Sequence, residues 1–243
     1  MHTPADDAVS PAADGAADAV RHRHIRSFVV RAGRMTQAQE RAWRELWPRL
    51  GLDRSDQPFD FGAMFGREAP VVFEVGFGNG ESLVALATAH PERNFVGLEV
   101  HPPGVGHLML QCEAAQLANV RIVCDDAVEI LQRRVADATL DELLLYFPDP
   151  WPKKRHHKRR IVQPAFVALV ARKLKPGGVL RMATDWQPYA EHMLETAGHC
   201  AGLASAAADG QYVARPDSRP LTRFERRGQR LGHGVWDLAF IRR

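Results

Sequence analysis

Short apolar runs alternate with helix-like stretches along most of this chain, and this alternation restricts its fold more than any other feature. The runs are rich in β-branched residues and are too short to be buried helices. Alternating strands and helices form right-handed βαβ units, which build a parallel sheet with helices on both faces. The predicted strands span residues 71–75, 95–100, 120–124, 143–147, 179–183 and 235–241.

The residues before the first predicted strand fall into segments of opposite charge. Residues 1–20 contain four aspartates, no lysine or arginine and few large apolar groups, so we predict that this acidic leader is disordered. Residues 21–34 contain five arginines and no acid, and we interpret them as a basic arm. An amphipathic helix follows, with a capping box from Thr36 and Gln39. The predicted organisation is a leader at 1–20, the arm and N-terminal helix at 21–65, and one α/β domain at 66–243.

A glycine-rich turn follows the first predicted strand. Gly76, Gly78 and Gly80 give the spacing G-x-G-x-G after Glu74, whereas a dinucleotide-binding loop has the spacing G-x-G-x-x-G. A glycine turn of this kind lets the backbone approach a nucleotide closely. No lysine or arginine lies beside these glycines, which argues against a diphosphate ligand.

Acidic residues lie at the end of the second predicted strand and just after the third. Glu99 can accept hydrogen bonds from ribose hydroxyls, and Asp126 can accept from an adenine amino group. Ligands of open α/β sheets bind beyond the carboxyl ends of the strands, where both acids lie. These residues therefore favour an adenosine without phosphates, and hence S-adenosylmethionine rather than NAD as the cofactor.

The fourth predicted strand leads into the sequence Pro-Asp-Pro-Trp at 148–151. The prolines fix the turn and hold Asp149 outward, and Trp151 offers a surface on which a base can stack. Six of the eight residues from 153 to 160 are lysine or arginine. This clustered positive charge predicts an anionic partner, most simply a nucleic acid.

Several other classes of protein are disfavoured by composition. No apolar run reaches eighteen residues, and the N-terminal segment carries acids and no basic flank followed by an apolar stretch, so we predict neither a transmembrane helix nor a signal peptide. Three cysteines without C-x-x-C spacing fit a reducing, cytoplasmic environment. The adjacent His156 and His157 cannot both face one metal ion from a helix, so we predict no metal site.

The order and content of these motifs resemble the bacterial tRNA (guanine-N7-)-methyltransferase family. The resemblance rests on residues 74–80, 99–106, 148–160, 183–186 and 222–225 and extends from about residue 26 to residue 243. It implies a Rossmann-like class I fold that uses S-adenosylmethionine, with a mostly parallel seven-stranded sheet and helices on both faces. The implied reaction converts guanine 46, in the variable loop of tRNA, to 7-methylguanosine. The implied enzyme is cytoplasmic, acts away from membranes and needs no partner subunit, as a monomer or homodimer.

The resemblance also implies roles for individual residues. Asp149 would be the catalytic residue and would contact the cofactor together with Glu74, Glu99, Asp126 and the glycine loop of Gly76, Gly78 and Gly80. The substrate nucleotide would be held by Lys153, Asp185, Thr222, Arg223, Phe224 and Glu225. The tRNA would be contacted by Arg155, His156, His157, Lys158, Arg159 and Arg160. Because guanine N7 carries no proton, we expect Asp149 and Glu225 to accept hydrogen bonds and stabilise positive charge, not to remove a proton.

Three other functions are compatible with parts of this sequence. An amino-group methyltransferase on adenine or cytosine would use an acid-Pro-Pro-aromatic motif, but the order at 148–151 lacks the second proline. A non-catalytic RNA-binding protein on a methyltransferase scaffold would not need the glycine loop and three acids at strand ends. A nicotinamide oxidoreductase would need the other glycine spacing.

Overall fold

Seven strands form one sheet in the computed structural model, which describes residues 27–28, 33–217, 219–221, 225 and 234–243. The strand order is β3-β2-β1-β4-β5-β7-β6, and β7 runs antiparallel to both of its neighbours. The other pairs are parallel. The strands are β1 (Val71–Val75), β2 (Asn94–Leu98), β3 (Val120–Val123), β4 (Leu140–Tyr146), β5 (Leu174–Thr184), β6 (Leu203–Ser205) and β7 (Trp236–Arg242).

Helices cover both faces of this sheet, as the βαβ pattern predicts. The α-helices are α1 (Gln37–Glu45), α2 (Trp47–Leu50), α3 (Phe61–Phe65), α4 (Glu81–Ala89), α5 (Pro102–Ala114), α6 (Ala127–Arg133), α7 (Pro164–Lys173) and α8 (Gln187–Gly198). A 3₁₀ helix, Lys154–Arg159, follows β4. The predicted α/β class, with a mostly parallel seven-stranded sheet, is confirmed.

Alternate side chains of the central strands enter two separate cores. In β4, Leu143 and Leu145 pack with α6, α7 and α8, whereas Leu144 packs with α1, α4 and α5 on the other face. Every residue of β1 is buried, as expected for a strand with helices on both sides. These cores fix the carboxyl ends of β1, β2 and β4 beside one another.

The N-terminal helix forms where its capping box predicts. The Thr36 hydroxyl accepts from the Gln39 backbone N–H, and the Gln39 side chain accepts from the Thr36 N–H. The helix breaks at Leu46, and the stacked rings of Trp43 and Trp47 lie across the break with centroids 4.4 Å apart. Gly106 of α5 lies against Gln39, so α1 packs directly on α5.

Two strands differ from the sequence prediction. β5 begins at Leu174, five residues before the predicted start at Val179, and the added segment is irregular, because the register against β4 shifts there and Gly177 has a φ angle of +80°. The three residues of β6 were not predicted, since such a short run carries no usable periodicity.

No helix in the described part of the chain is both long and apolar enough to span a membrane. The division into a leader, an arm and an α/β domain stays a prediction. The leader and most of the arm lie outside the described residues.

Candidate active site

A cavity of about 210 Å³ opens at the carboxyl ends of β1, β2 and β4. The strand order reverses between β1 and β4, so this is the switch point at which open α/β sheets bind ligands. The walls include Gly76, Glu99, Asp125, Asp126, Tyr146, Phe147 and Asp149, with Ser27 and Phe28 from the arm. Of the predicted cofactor residues, Gly76, Glu99, Asp126 and Asp149 therefore meet around one cavity.

The glycine loop after β1 uses a backbone conformation that favours glycine. Gly76, Gly78 and Gly80 have φ angles of +72°, +59° and +82°. A Cβ atom on Gly76 or Gly78 would meet no heavy atom within 4 Å, so the space beside this backbone is open. Glycine is required there by the φ angle, and the open backbone leaves room for a ligand to approach.

Gly104 of α5 packs against this loop. The sequence analysis assigned it no role. A Cβ atom on Gly104 would lie 2.3 Å from the carbonyl oxygen of Gly78. Only glycine therefore lets α5 approach the loop this closely. The segment around Gly104 contributed to the family resemblance, but the contact across 26 positions could not be found from the sequence.

Glu99 ties the end of β2 to the glycine loop. Its Oε2 accepts from the Gly78 N–H at 2.9 Å, and its Oε1 accepts from the N–H groups of Val100 and His101 at 2.7 and 3.1 Å. A carboxylate has about four acceptor positions, so one remains on Oε2. Glu99 is thus held rigidly beside the cavity and has room for one further donor, such as a ribose hydroxyl.

Asp126 has a structural role as well as its place in the cavity wall. It is the N-cap of α6, and its Oδ1 accepts from the Val128 N–H at 2.8 Å. The second carboxylate oxygen is not used by this cap and remains an acceptor. The neighbouring Asp125 forms an ion pair with Arg54, with the Nε to Oδ2 distance at 3.0 Å.

Glu74 lies in the sheet behind the loop and is not one of the residues that line the cavity. It is 3% exposed, and its Oε2 has no hydrogen-bond partner among the described residues. Burial raises the pKa of the Glu74 carboxyl to about 8, and the nearby Ser82 hydroxyl opposes part of that rise. Glu74 is therefore a buried acid at the strand that leads into the glycine loop, and its cofactor contact stays a prediction.

The raised pKa of Glu74 predicts a specific dependence of stability on pH. Between the ordinary pKa of 4.5 and about 8, folded Glu74 keeps a proton that the unfolded chain releases. Unfolding is therefore favoured by higher pH, and the free energy of unfolding should fall by an amount on the order of a few kcal/mol across this window. Denaturant titrations at pH 5 and pH 8 measure this change in the free energy of unfolding.

In Glu74→Gln, the free energy of unfolding should depend less on pH. The control Glu113→Gln replaces an exposed residue of α5 and should keep the wild-type pH dependence. Equal slopes in all three proteins would contradict the assignment.

The segment after β4 places Asp149 at the cavity. Phe147 and Trp151 have φ angles of +52° and +45°, a strained conformation for residues with side chains, and they flank Asp149 on either side. Asp149 is exposed and lines the cavity. Asp149 therefore points outward, as predicted. The two residues with strained backbone, Phe147 and Trp151, lie at the two ends of the turn that carries it.

Trp151 is held by three neighbours. Its indole N–H donates to the Ser27 carbonyl at 3.1 Å, and the edge of the His156 ring meets it at a centroid distance of 5.9 Å. The Arg159 guanidinium lies 4.6 Å from the Trp151 ring centroid, a cation–π distance. One face of Trp151 is therefore covered by Arg159, which limits the predicted stacking of a base to the other face.

The basic run forms the 3₁₀ helix and divides into exposed and inward-facing cations. Lys153, Arg155 and Lys158 are exposed, while His156, His157 and Arg159 are partly buried. Arg160 is 3% exposed, donates to the Pro150 carbonyl at 2.9 Å and lies 4.8 Å from the Tyr189 ring centroid. The expected RNA contact of Arg160 does not fit this structure, because its guanidinium is used inside the protein.

The predicted substrate residues are only partly described. Asp185 directly follows β5 and is partly buried. Thr222, Arg223 and Phe224 lie outside the described residues. Glu225 is 1% exposed and both of its carboxylate oxygens accept from Arg219, so the expected contact between Glu225 and guanine is not available in this arrangement.

Metal ligands are not clustered in the described residues, where no group of three or more histidine, cysteine or acidic side chains could hold an ion. The site instead combines an open glycine backbone, fixed carboxylates and, beside them, exposed cations. Such a site can hold an uncharged nucleoside, stabilise positive charge near Asp149 and attract a phosphate backbone.

The fold and this cavity define a Rossmann-like methyltransferase. Among solved structures, the chain is similar to the 16S rRNA methyltransferase KamB, with a TM-score of 0.57 and 19% identity over 80% of this chain and 98% of that one. It is also similar to the 16S rRNA (adenine(1408)-N(1))-methyltransferase from Catenulisporales acidiphilia, with a TM-score of 0.53 and 18% identity over 79% and 94% of the two chains. These likenesses support the fold. The family model described as "Putative methyltransferase" matches residues 68–238.

Sequence relatives identify the particular family. The tRNA (guanine-N(7)-)-methyltransferase of Pseudomonas aeruginosa (strain UCBPP-PA14) is 59% identical over 220 residues, which is 90% of each chain. The protein of the same name from Serratia proteamaculans (strain 568) is 55% identical over 98% of this chain and 99% of its own. The chain belongs to the tRNA (guanine-N7-)-methyltransferase family, and the resemblance found from its motifs is confirmed.

Proposed function

We propose that this protein transfers a methyl group from S-adenosylmethionine to N7 of guanine 46, in the variable loop of tRNA. The observation that carries the proposal is the adjacency of two sites. The cavity at the strand ends suits an adenosine, and the 3₁₀ helix that carries the exposed cations begins five residues after Asp149. Family membership supports the same reaction and the same cofactor.

The residues of the cavity fit S-adenosylmethionine. The open space beside Gly76 and Gly78 admits an extended chain, and Glu99 has one acceptor position for a ribose hydroxyl. Asp126 has a carboxylate oxygen for the adenine amino group. When bound, the cofactor supplies a methyl group on a positively charged sulfur. The N7 lone pair forms the new carbon–nitrogen bond, and the electron pair of the carbon–sulfur bond stays on sulfur.

Asp149 is proposed to act through its charge. Guanine N7 carries a lone pair and no proton, so the transfer requires no general base. Positive charge moves onto the guanine ring as the bond forms, and a carboxylate beside the ring stabilises it. The turn between Phe147 and Trp151 holds Asp149 in place before the substrate arrives. Lys153, Asp185 and the segment 222–225 are proposed to hold the nucleotide.

The exposed cations are proposed to bind tRNA phosphates, which gives a prediction for salt dependence. Arg155→Ala/Lys158→Ala removes two exposed cations and should lower the magnitude of the slope of log affinity against log salt by about two. Filter binding from 50 to 300 mM salt measures the slope. Arg41→Ala/Arg44→Ala, on the exposed side of α1, is the matched control and should keep the wild-type slope. Equal slopes for both double variants would contradict the assignment.

We propose that the reaction takes place in the cytoplasm, as the proposed tRNA substrate suggests. We further propose that the chain acts without an obligate partner subunit, as a monomer or a homodimer. Sedimentation of the active enzyme with and without tRNA distinguishes these states.

Methyl transfer from labelled S-adenosylmethionine to unmodified bulk tRNA tests the proposed function. Digestion to nucleosides should place the label in 7-methylguanosine from a variable-loop fragment. Label in a methylated adenosine or cytidine would support the amino-group methyltransferase instead. Cofactor binding without transfer to any tRNA would support a binding protein on this scaffold.

A further inference from the structure

Arg160 is the last cation of the basic run 153–160, and its guanidinium faces the interior of the protein. It is 3% exposed and directly follows the 3₁₀ helix. Its Nε donates to the carbonyl oxygen of Pro150 at 2.9 Å, and its Nη2 lies 3.2 Å from Nε2 of His157. Because a guanidinium only donates, His157 accepts through Nε2. Arg160 therefore joins the 3₁₀ helix to the turn that carries Asp149.

The Arg160 guanidinium also packs on a buried ring of α8. Its central carbon lies 4.8 Å from the ring centroid of Tyr189, which is fully buried. The Tyr189 hydroxyl accepts from the Val162 N–H at 3.4 Å, so the ring is itself held in place. Burial raises the pKa of the Tyr189 hydroxyl. The Arg160 charge lowers this pKa and the Asp149 charge raises it, so both charged groups lie near the same ring.

The hydrogen bond to Pro150 acts on the strained end of the turn. The Pro150 carbonyl and the Trp151 N–H belong to one planar peptide group, so a donor that fixes the carbonyl oxygen also fixes the direction in which the chain enters Trp151. Trp151 has a φ angle of +45°, a conformation that persists only where surrounding contacts hold it. Asp149 directly precedes Pro150, whose ring fixes its own φ angle. The orientation of this peptide group therefore sets the position of the Asp149 carboxylate.

We propose that Arg160 is a positioning residue for Asp149: its guanidinium holds the Pro150 carbonyl, and with it the turn 148–151, against α8, and it does not contact tRNA. The inference rests on the proposed function, because that function makes Asp149 the catalytic residue. The basic run then has two roles. Its exposed cations face the phosphate backbone, whereas its last residue orders the turn at the active site.

The contacts of Arg160 require the shape of arginine. Nε and Nη2 donate to two different acceptors, and the same planar group packs on the Tyr189 ring. A lysine ammonium is a compact point charge and cannot reproduce these three contacts. Arg160→Lys therefore keeps the charge that an RNA contact would use and removes the geometry that the turn uses.

Kinetics and salt dependence separate positioning from an RNA contact. In Arg160→Lys, kcat should fall by about 100-fold, the cost of a misplaced catalytic group. Arg160→Met removes the charge as well, and the slope of log affinity for tRNA against log salt should still equal that of wild type. A phosphate contact predicts a kcat near wild type in Arg160→Lys and a slope whose magnitude is lower by about one in Arg160→Met. Each of these two results would overturn the proposal.

Arg134→Lys is the matched control, because Arg134 is a second buried arginine with the same kinds of contact. It is 8% exposed, donates to the carbonyl oxygens of Asp53 and Gln57 at 2.8 and 3.0 Å, and lies 4.2 Å from the Phe59 ring centroid. It is not one of the described residues that line the active-site cavity. Both lysine variants should have a lower melting temperature, and kcat should fall only in Arg160→Lys. An equal loss of kcat in Arg134→Lys would overturn the proposal, because lost stability would then explain both effects.

Fluorine NMR follows the turn independently of activity. Protein labelled with 5-fluorotryptophan has one resonance for each of its five tryptophans, and Trp151→Phe identifies that of Trp151. Arg160→Lys should shift or broaden this resonance and leave that of Trp43, in α1, unchanged, whereas Arg134→Lys should leave the Trp151 resonance unchanged. A Trp151 resonance that Arg160→Lys does not alter would overturn the proposal. If the resonance shifts but the wild-type enzyme transfers no methyl group to tRNA, Arg160 still holds the turn and only the proposed function fails.

Discussion

Asp149→Asn is expected to lower kcat by about 100- to 1,000-fold, the range measured when one group that stabilises transition-state charge is removed. Asparagine keeps the size and an acceptor oxygen but loses the negative charge. If the role of Asp149 is to balance the charge that develops on guanine, the loss falls on kcat. Single-turnover rates at saturating tRNA and cofactor measure it.

Asp141→Asn provides the control for this experiment. Asp141 lies in the same strand, β4, at the end away from the cavity, and is paired with Lys175 at 2.8 Å. Its replacement should affect stability and leave kcat within about twofold. A kcat for Asp149→Asn within tenfold of wild type would show that Asp149 is not the catalytic residue.

Glu99→Ala is expected to raise the Kd for S-adenosylmethionine by about 100-fold. The variant removes the acceptor proposed for the ribose and leaves the N–H groups of Gly78, Val100 and His101 without their partner, so the glycine loop loses its tie to β2. Hydrogen bonds to a charged group contribute about 1.5–3 kcal/mol each, which corresponds to roughly 10- to 150-fold. Calorimetry with cofactor alone measures the change.

The control for Glu99 is Glu113→Ala, which removes an exposed carboxylate from α5. It should leave the cofactor Kd unchanged. Because Glu99 lies at the ribose end of the proposed cofactor position, the tRNA KM of Glu99→Ala should change little. A cofactor Kd close to that of wild type would refute the assignment of Glu99.

The sequence predicted the central strands and part of the candidate site correctly, because a short local pattern marks each of them. Apolar runs predicted the central strands because β1 and β4 are buried on both faces, and that burial requires continuous apolar sequence. The glycine spacing predicted a turn whose backbone a ligand can approach, and in the structure Gly76 and Gly78 have positive φ angles and open space beside them. The acids at strand ends meet at one cavity because parallel strands bring their carboxyl ends together.

Other features depended on contacts between distant residues. Arg160 belongs to a run of cations, and only its packing against Tyr189 shows that it faces inward. Glu225 was expected to contact the substrate, but in the structure its carboxylate oxygens accept hydrogen bonds from Arg219. Arg219 also donates to Asp237, which lies 12 positions after Glu225 in the chain. A sequence pattern reports residue type and spacing, whereas these assignments depend on which side chains the fold brings together.

A tRNA transcript with 7-deazaguanosine at position 46 provides the most direct test of the central claim. This base replaces N7 by a C–H group and keeps the shape and Watson–Crick edge of guanine, so its transcript should bind as tightly as the guanosine transcript. We predict that the enzyme labels the guanosine transcript from labelled S-adenosylmethionine and transfers no label to its 7-deaza counterpart. Equal labelling of both transcripts would contradict the account, because the methyl acceptor would then be a different atom or a different nucleotide.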